Sequence, residues 1–192
     1  MQNLPAGKQF FSVNELHNAG YSKYKISQLV KNGIITSVNR KWYENSNYTG
    51  EINDFYAVNP YAEQGVICLI SAAVYHELTT HRPSHIDVAL PRSARVPQSP
   101  EWPSMKFYRL GEDRYTTGIV TIQEGENSFR IYDREKTVCD MILYRNKLGF
   151  EPAVEVLKMY IKRPDRDINR LLKYAEMLHV KTSIKQYLEV LL

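Results

Sequence analysis

The chain is predicted to be an α+β protein: a small N-terminal module over residues 1–48, then a larger domain over residues 49–192 with a small antiparallel sheet and a C-terminal helical bundle. Three observations predict this. Short strand-like runs crowd the middle of the chain, parted by Gly, Pro, Asn and charged residues. From Asp133 onward, apolar residues recur at helical spacing instead. The net charge, finally, is confined to one end. Residues 1–48 hold six basic side chains (Lys8, Lys23, Lys25, Lys31, Arg40, Lys41) against Glu15 and Glu44, a net +4. The 25 basic and 21 acidic residues of the whole chain leave 19 of each for residues 49–192, which are neutral. A basic balance held at one end points to a polyanionic partner there.

In the N-terminal module, Phe10-Phe11 is extended, and Ser12 stands three residues before Glu15, the spacing of a capping box. A short helix through Leu16 and His17 stops at Gly20, a left-handed terminator. Ser22 caps a second helix that runs to about Asn32 and is closed by Gly33. Two short helices joined by a Gly-containing turn make a helix-turn-helix. Ile34–Val38 then reads as a strand, Asn39-Arg40-Lys41 as a tight basic turn, and Trp42–Glu44 as the returning strand. That hairpin is a wing, so the module is predicted to be a winged helix-turn-helix. The turn-forming stretch Asn45–Gly50 marks its boundary.

In the larger domain, Ile67, Ile70, Val74 and Leu78 predict a helix over about 65–78. His85–Leu90 alternates as a strand stopped by Pro91, and Met105–Leu110, Gly118–Gln123 and Phe129–Tyr132 supply the remaining strands. The three prolines of Pro97–Pro103 make a loop. Asp133 caps a helix that continues to Gly149, Pro152 suits the first turn of the next, Pro164 starts a third and Ser183 caps a fourth.

The composition, 43% hydrophobic and 24% charged, is that of an ordinary globular protein. Cys68 and Cys139 are the only cysteines, too few for a disulfide framework, and read as small buried hydrophobes in a reducing cytoplasm. The chain starts without an apolar signal segment, and its longest apolar run, Gly65–Ala73, is too short for a bilayer. A cytoplasmic, soluble protein with no membrane partner is expected. The 14 tyrosines are expected to fill core and interfaces with their hydroxyls kept wet.

The second helix divides sharply. Ile26, Leu29 and Val30 share one side, and Tyr24, Ser27, Gln28 and Lys31 the other, which holds no acid. Gln pairs with adenine, Lys with guanine or phosphate, Ser with either, and Tyr with phosphate or a thymine methyl. Ser22, Lys23 and Lys25 lie at the helix start, where the dipole favours phosphate. Asn39, Arg40 and Lys41 at the wing tip can reach the backbone or a minor groove. These ten residues form the candidate DNA-binding set. Arg163, Arg166, Arg170 and Lys173, at i, i+3, i+7 and i+10, form a possible second basic surface.

No enzyme signature accompanies them. His76, His81 and His85 share no helix face, and Pro83 interrupts them, so no metal or other cofactor is expected. Asp87, Glu124, Glu126, Asp133 and Glu135 lack the Glu-x-Lys partner of a metal-dependent nuclease. No phosphate-binding Gly-rich loop, Gly-x-Ser-x-Gly elbow or His-Glu-x-x-His occurs. No catalytic residue is assigned.

The segment FFSVNELHNAGYSKYKISQLVKNGIITSVNRKWYE resembles the N-terminal winged helix of AbiEi-type antitoxins of type IV toxin–antitoxin, abortive-infection systems. The likeness rests on Ala19-Gly20, Ser22, Leu29-Val30, Gly33, Ile34-Ile35, Arg40 and Tyr43. It extends through ISAAVYHELTTHRPSHIDVALPR and through IYDREKTVCDMILYRNKLG, with Asp140 inside its helix, covering roughly residues 10–150. Lys41 stands where the family often has Gly, and only about nine residues precede the first strand.

The resemblance implies a repressor that binds inverted repeats in its own promoter and counteracts a co-encoded nucleotidyltransferase-like toxin without a stable complex. A monomer in solution or a dimer on DNA fits, since one such module reads only a few base pairs. Two alternatives stand beside it: a nucleic-acid-processing enzyme (a nuclease) with a targeting module, and a protein-docking adaptor.

Overall fold

A computed structural model describes residues 4–191. The chain divides into two compact units, one formed by the residues up to Glu63 with Thr121–Phe129, the other by Gln64–Val120 with the residues from Arg130 onward.

The first unit opens with β1 (Phe10–Ser12), α1 (Val13–Asn18), α2 (Lys23–Lys31), β2 (Ile35–Ser37) and β3 (Trp42–Asn45). β3 is the central strand of an antiparallel sheet, order β1-β3-β2, with Phe11 opposite Tyr43 and Thr36 opposite Glu44. The capping box forms: Glu15 N–H donates to Ser12 Oγ, and Ser12 N–H donates to the Glu15 carboxylate at 2.7 Å.

Both helices end in the same way. Past α1, Gly20 (φ 83°) lets its own N–H reach His17 O and Tyr21 N–H reach Leu16 O. Past α2, Gly33 (φ 69°) sends its N–H to Val30 O and that of Ile34 to Leu29 O. These paired bonds are Schellman closures. Phe11, Leu16, Ile26 and Ile35 form the buried core, with Leu29, Ile34 and Tyr43 packed against it. Val30, expected inside, is 37% exposed. The helix is so short that Ile26 and Leu29 suffice to cover the core.

The stretch read from sequence as a boundary is partly interior. Asn45 is buried and donates from Nδ2 to Pro5 O and Lys8 O while accepting from Asn47 N–H. The unit continues through a 3₁₀ turn (Asp54–Ala57) and α3 (Val58–Tyr61) to Glu63. It also includes a distant hairpin tip, whose buried Asn127 accepts from Gln9 N–H at 2.8 Å and donates to Gly7 O at 2.9 Å.

The chain continues with β4 (Val66–Ile67), α4 (Leu69–Tyr75), β5 (Ile86–Pro91), β6 (Met105–Leu110), α5 (Glu112–Thr116), β7 (Ile119–Glu124) and β8 (Asn127–Tyr132), the last two strands running through the stretch 121–129 that belongs to the first unit. The sheet order is β6-β5-β4-β8-β7. It is mixed, not antiparallel: β5 runs parallel to β6 and β4 parallel to β8. The proline-rich segment 92–104 is long enough to carry the chain back to the start of β6, as a parallel neighbour requires. The helix predicted over 65–78 is a strand and a helix in succession, parted at Leu69 (φ 48°). Val66–Ala73 are buried throughout, and a uniformly buried run looks alike as strand or helix.

Asp133 caps α6 (Arg134–Leu143), accepting from Lys136 N–H at 2.8 Å. Then come α7 (Arg145–Leu148), α8 (Phe150–Lys162), α9 (Ile168–Met177) and α10 (Lys181–Leu191). α9 starts at an Asp167 cap, not at Pro164, because Pro164 and Asp165 form a turn. α10 starts at Lys181, ahead of Ser183, because the closure of α9 (Val180 N–H to Ala175 O) leads straight into it. α4, α8, α9 and α10 all pack on α6, whose residues from Glu135 to Ile142 are all buried. Both cysteines are buried and free. Core tyrosine hydroxyls have protein partners: Tyr132 donates to Tyr115 O, Tyr115 to Gln64 O and Tyr160 to Glu135. Among the described residues no helix is long and apolar enough to cross a membrane.

Within α6, Lys136 and Asp140 form a fully buried pair, Nζ to Oδ2 2.5 Å. Removing one partner strands the other charge away from water. Asp140→Ala is expected to destabilise the protein by about 3–5 kcal/mol in denaturant titration, and Lys136→Met with Asp140→Leu together by far less.

His76 is set between α4 and the sheet, with Nε2 2.7 Å from Tyr132 O. Burial lowers its pKa below the ordinary value of 6.5. The unfolded chain therefore binds the proton more readily, so this contribution to stability is whole above pH about 6.5 and is lost as the pH falls toward the folded-state pKa. The expected result is that Tm falls more steeply from pH 7 to 5.5 for the wild type than for His76→Gln.

Candidate nucleic-acid interface

The strongest concentration of unpartnered positive charge in the first unit lies on and beside α2. Ser22 is exposed and acts as the N-cap, its Oγ accepting from Lys25 N–H at 3.3 Å. The cap sets α2 so that Ile26 points into the core, and the 100° step per residue turns the opposite side outward. Lys23, Tyr24, Lys25, Ser27 and Lys31 are exposed, Tyr24 by 73%, and Gln28 is partly buried. Lys23, Lys25, Lys31 and Arg40 have no carboxylate partner among the described residues. The nearby acid Glu15 is held by Lys8.

The β2–β3 turn is built by Asn39. Its Oδ1 accepts from Lys41 N–H at 2.9 Å and its Nδ2 donates to Pro60 O at 2.8 Å. Both ends of the Asn39 side chain, read from sequence as a DNA contact, are thus engaged in shaping the turn. Arg40 and Lys41 are exposed at the tip. Lys41 Nζ reaches both carboxylate oxygens of Glu63 at 3.2 Å. Sequence reasoning missed Glu63 because it lies beyond the residue-48 boundary, with no local signal linking it to the turn. An exposed pair of this kind is worth at most about 1 kcal/mol, so a phosphate can compete for the lysine.

The second basic surface does not form as one helical face. Arg163 and Arg166 precede α9, and Arg166 donates to Arg163 O. Arg163 pairs with Asp165 at 3.0 Å. Arg170 lies 3.6 Å from Asp167 and 3.8 Å from Glu135. Arg166 and Lys173 are exposed without a carboxylate partner among the described residues. The i, i+3, i+7, i+10 spacing fails because Pro164 interrupts the helix it presupposes.

The other polar groups singled out in the sequence are dispersed. His85 Nε2 lies 3.2 Å from the buried Asp87, which also accepts from Tyr108 Oη at 2.9 Å, and burial raises the Asp87 pKa. Asp133 caps α6, Glu135 accepts from Tyr160, and Glu124 accepts from Tyr56 and Asn53. Glu126 and His81 are exposed. Among the described residues no three His, Cys, Asp or Glu side chains converge as metal ligands.

No protein-family model and no curated protein matched the chain.

Proposed function

We propose that the first unit is a winged helix-turn-helix that binds duplex DNA, with α2 read into the major groove and the β2–β3 turn against the backbone. The observation that carries this is the acid-free outer side of α2. Four cations there and at the turn have no carboxylate to neutralise them, so their charge is available to phosphates. Lys23, Lys25, Lys31 and Arg40 supply the electrostatic part, and Tyr24, Ser27 and Gln28 the base readout.

The resemblance to AbiEi-type antitoxins extends the reading. The protein represses its own operon from inverted repeats in the promoter, two copies per site, and counteracts a co-encoded nucleotidyltransferase-like toxin. Its second unit, with the helices gathered on α6 as a bundle, serves the antitoxin role without catalysis, and the protein works in the cytoplasm.

Fluorescence anisotropy of the full chain on its own upstream DNA and on a scrambled duplex, across a salt series, tests this. Tight, salt-sensitive binding with a clear preference for the upstream DNA is expected. Equal weak binding to both overturns it and favours the docking adaptor. Divalent-metal-dependent cleavage of either duplex favours the nuclease.

Two variant classes separate the roles. Arg40→Ala should weaken binding to every duplex alike and lower the salt slope by about one. Gln28→Ala should relax sequence preference at a cost of about 1–3 kcal/mol. If Gln28→Ala behaved like Arg40→Ala, α2 would be wrongly oriented in this reading. Glu63→Gln frees Lys41 and should tighten binding to any duplex, by up to about five-fold at low salt.

A further inference from the structure

The second unit holds a cleft that the DNA-binding reading leaves unused. β5 and β6 are parallel and in register, Leu90 opposite Arg109 and Pro91 opposite Leu110. Their carboxyl ends therefore open on the same side, the place where α/β sheets commonly receive ligands. Arg92 directly follows β5, and Arg109 lies at the end of β6. Gly111 then turns the chain into α5, which carries Arg114. Tyr144, at the end of α6, completes a cleft of about 470 Å³ lined by Arg92, Arg109, Leu110, Gly111, Arg114 and Tyr144.

Three features give this cleft its chemistry. Its lining contains three guanidinium groups and no carboxylate. None of the three guanidinium groups has a hydrogen bond or ion pair among the described residues. Glu112 and Asp113 share α5 with Arg114 but do not line the cleft. Three unpaired guanidiniums around one concavity repel one another unless an anion joins them, and their planar forks match phosphate oxygens in pairs. The volume falls in the range of small-molecule sites and is larger than a single phosphate fills.

We propose that this cleft binds a small polyphosphorylated ligand of the nucleoside triphosphate class. Arg92, Arg109 and Arg114 hold the phosphates, and the Tyr144 ring walls the remaining space. Arg114 is partly buried and is the anchoring member, while Arg92 and Arg109 close from the exposed rim. Its positive field also favours the ionised forms of Asp140 and Tyr144, although burial leaves both pKa values raised.

Isothermal titration calorimetry of the full chain tests the site with ATP, GTP, AMP and inorganic tripolyphosphate, and with a random-sequence duplex as competitor. Micromolar binding of a triphosphate is expected, with AMP at least ten-fold weaker and Arg109→Ala and Arg92→Ala each weakening it about ten-fold. Both substitutions are at exposed positions, and circular dichroism melts check that the variants stay folded. Tripolyphosphate as tight as ATP supports a site that reads phosphates alone; ATP or GTP tighter than tripolyphosphate supports one that also holds the nucleoside. No heat with any probe at millimolar concentration overturns the proposal, as does binding unchanged in the Arg92→Ala, Arg109→Ala double variant. Displacement of ATP by random duplex, with duplex affinity lost in the same variants, also overturns it, making the cleft a contact for nucleic-acid backbone.

Discussion

The second unit depends on one buried ion pair. Lys136 and Asp140 sit one turn apart on α6, out of contact with water, in the helix against which α4, α8, α9 and α10 pack. Two charges in such a place are tolerated only when each finds near-complete compensation. The Lys136 ammonium has the Asp140 carboxylate on one side and the face of the Tyr132 ring, 4.0 Å to its centroid, on another. Tyr132 is fixed in turn by its hydroxyl bond to Tyr115 O. Gly118 passes so close that a Cβ there would lie 2.6 Å from Lys136 Cβ, and its φ of 74° favours glycine. The helix, the backbone at Gly118 and the ring are thus fitted around one lysine stem. Burial drives the Asp140 carboxyl toward its neutral form and Lys136 drives it back.

The first unit is organised by a different constraint, the ends of two short helices. Neither α1 nor α2 is long enough to be stable alone. Each is fixed by a serine cap at its start and a glycine-centred closure at its end. The closures also bring Tyr21 and Ile34 back toward Leu16 and Leu29, so turn chemistry and core packing select the same arrangement. The outward side of α2 is left free of packing duties, which is why it can carry polar and basic side chains.

Much of this was legible from sequence because it was local. Ser12 with Glu15, Ser22, Gly20, Gly33 and the cap at Asp133 each announce themselves within four residues, and each has the role expected. What was hidden is non-local or lacks the usual signal. The end of α4 turns at Glu77 (φ 57°) and that of α9 at His179 (φ 58°), where no glycine marks the closure. The parallel pairing of β5 with β6 cannot be read from alternation, which is the same in either direction. It was that pairing which brought Arg92, Arg109 and Arg114 together, so the cleft was invisible in a linear reading. In the candidate DNA interface, residue types and exposure on α2 were readable, but the ties of Asn39 to Pro60 and of Lys41 to Glu63 were not.

The inclusion of Thr121–Phe129 in the first unit has a consequence for how the chain is made. A ribosome delivers residues in order, and the unit carrying α2 lacks the Asn127 side chain that holds Gln9 and Gly7 until Phe129 has emerged. By then Gln64–Val120, half of the other unit's framework, is already outside the tunnel. The amino-terminal unit is therefore finished only once Phe129 is out, after the first part of the other unit has emerged, and a nascent chain halted before residue 127 presents neither unit complete.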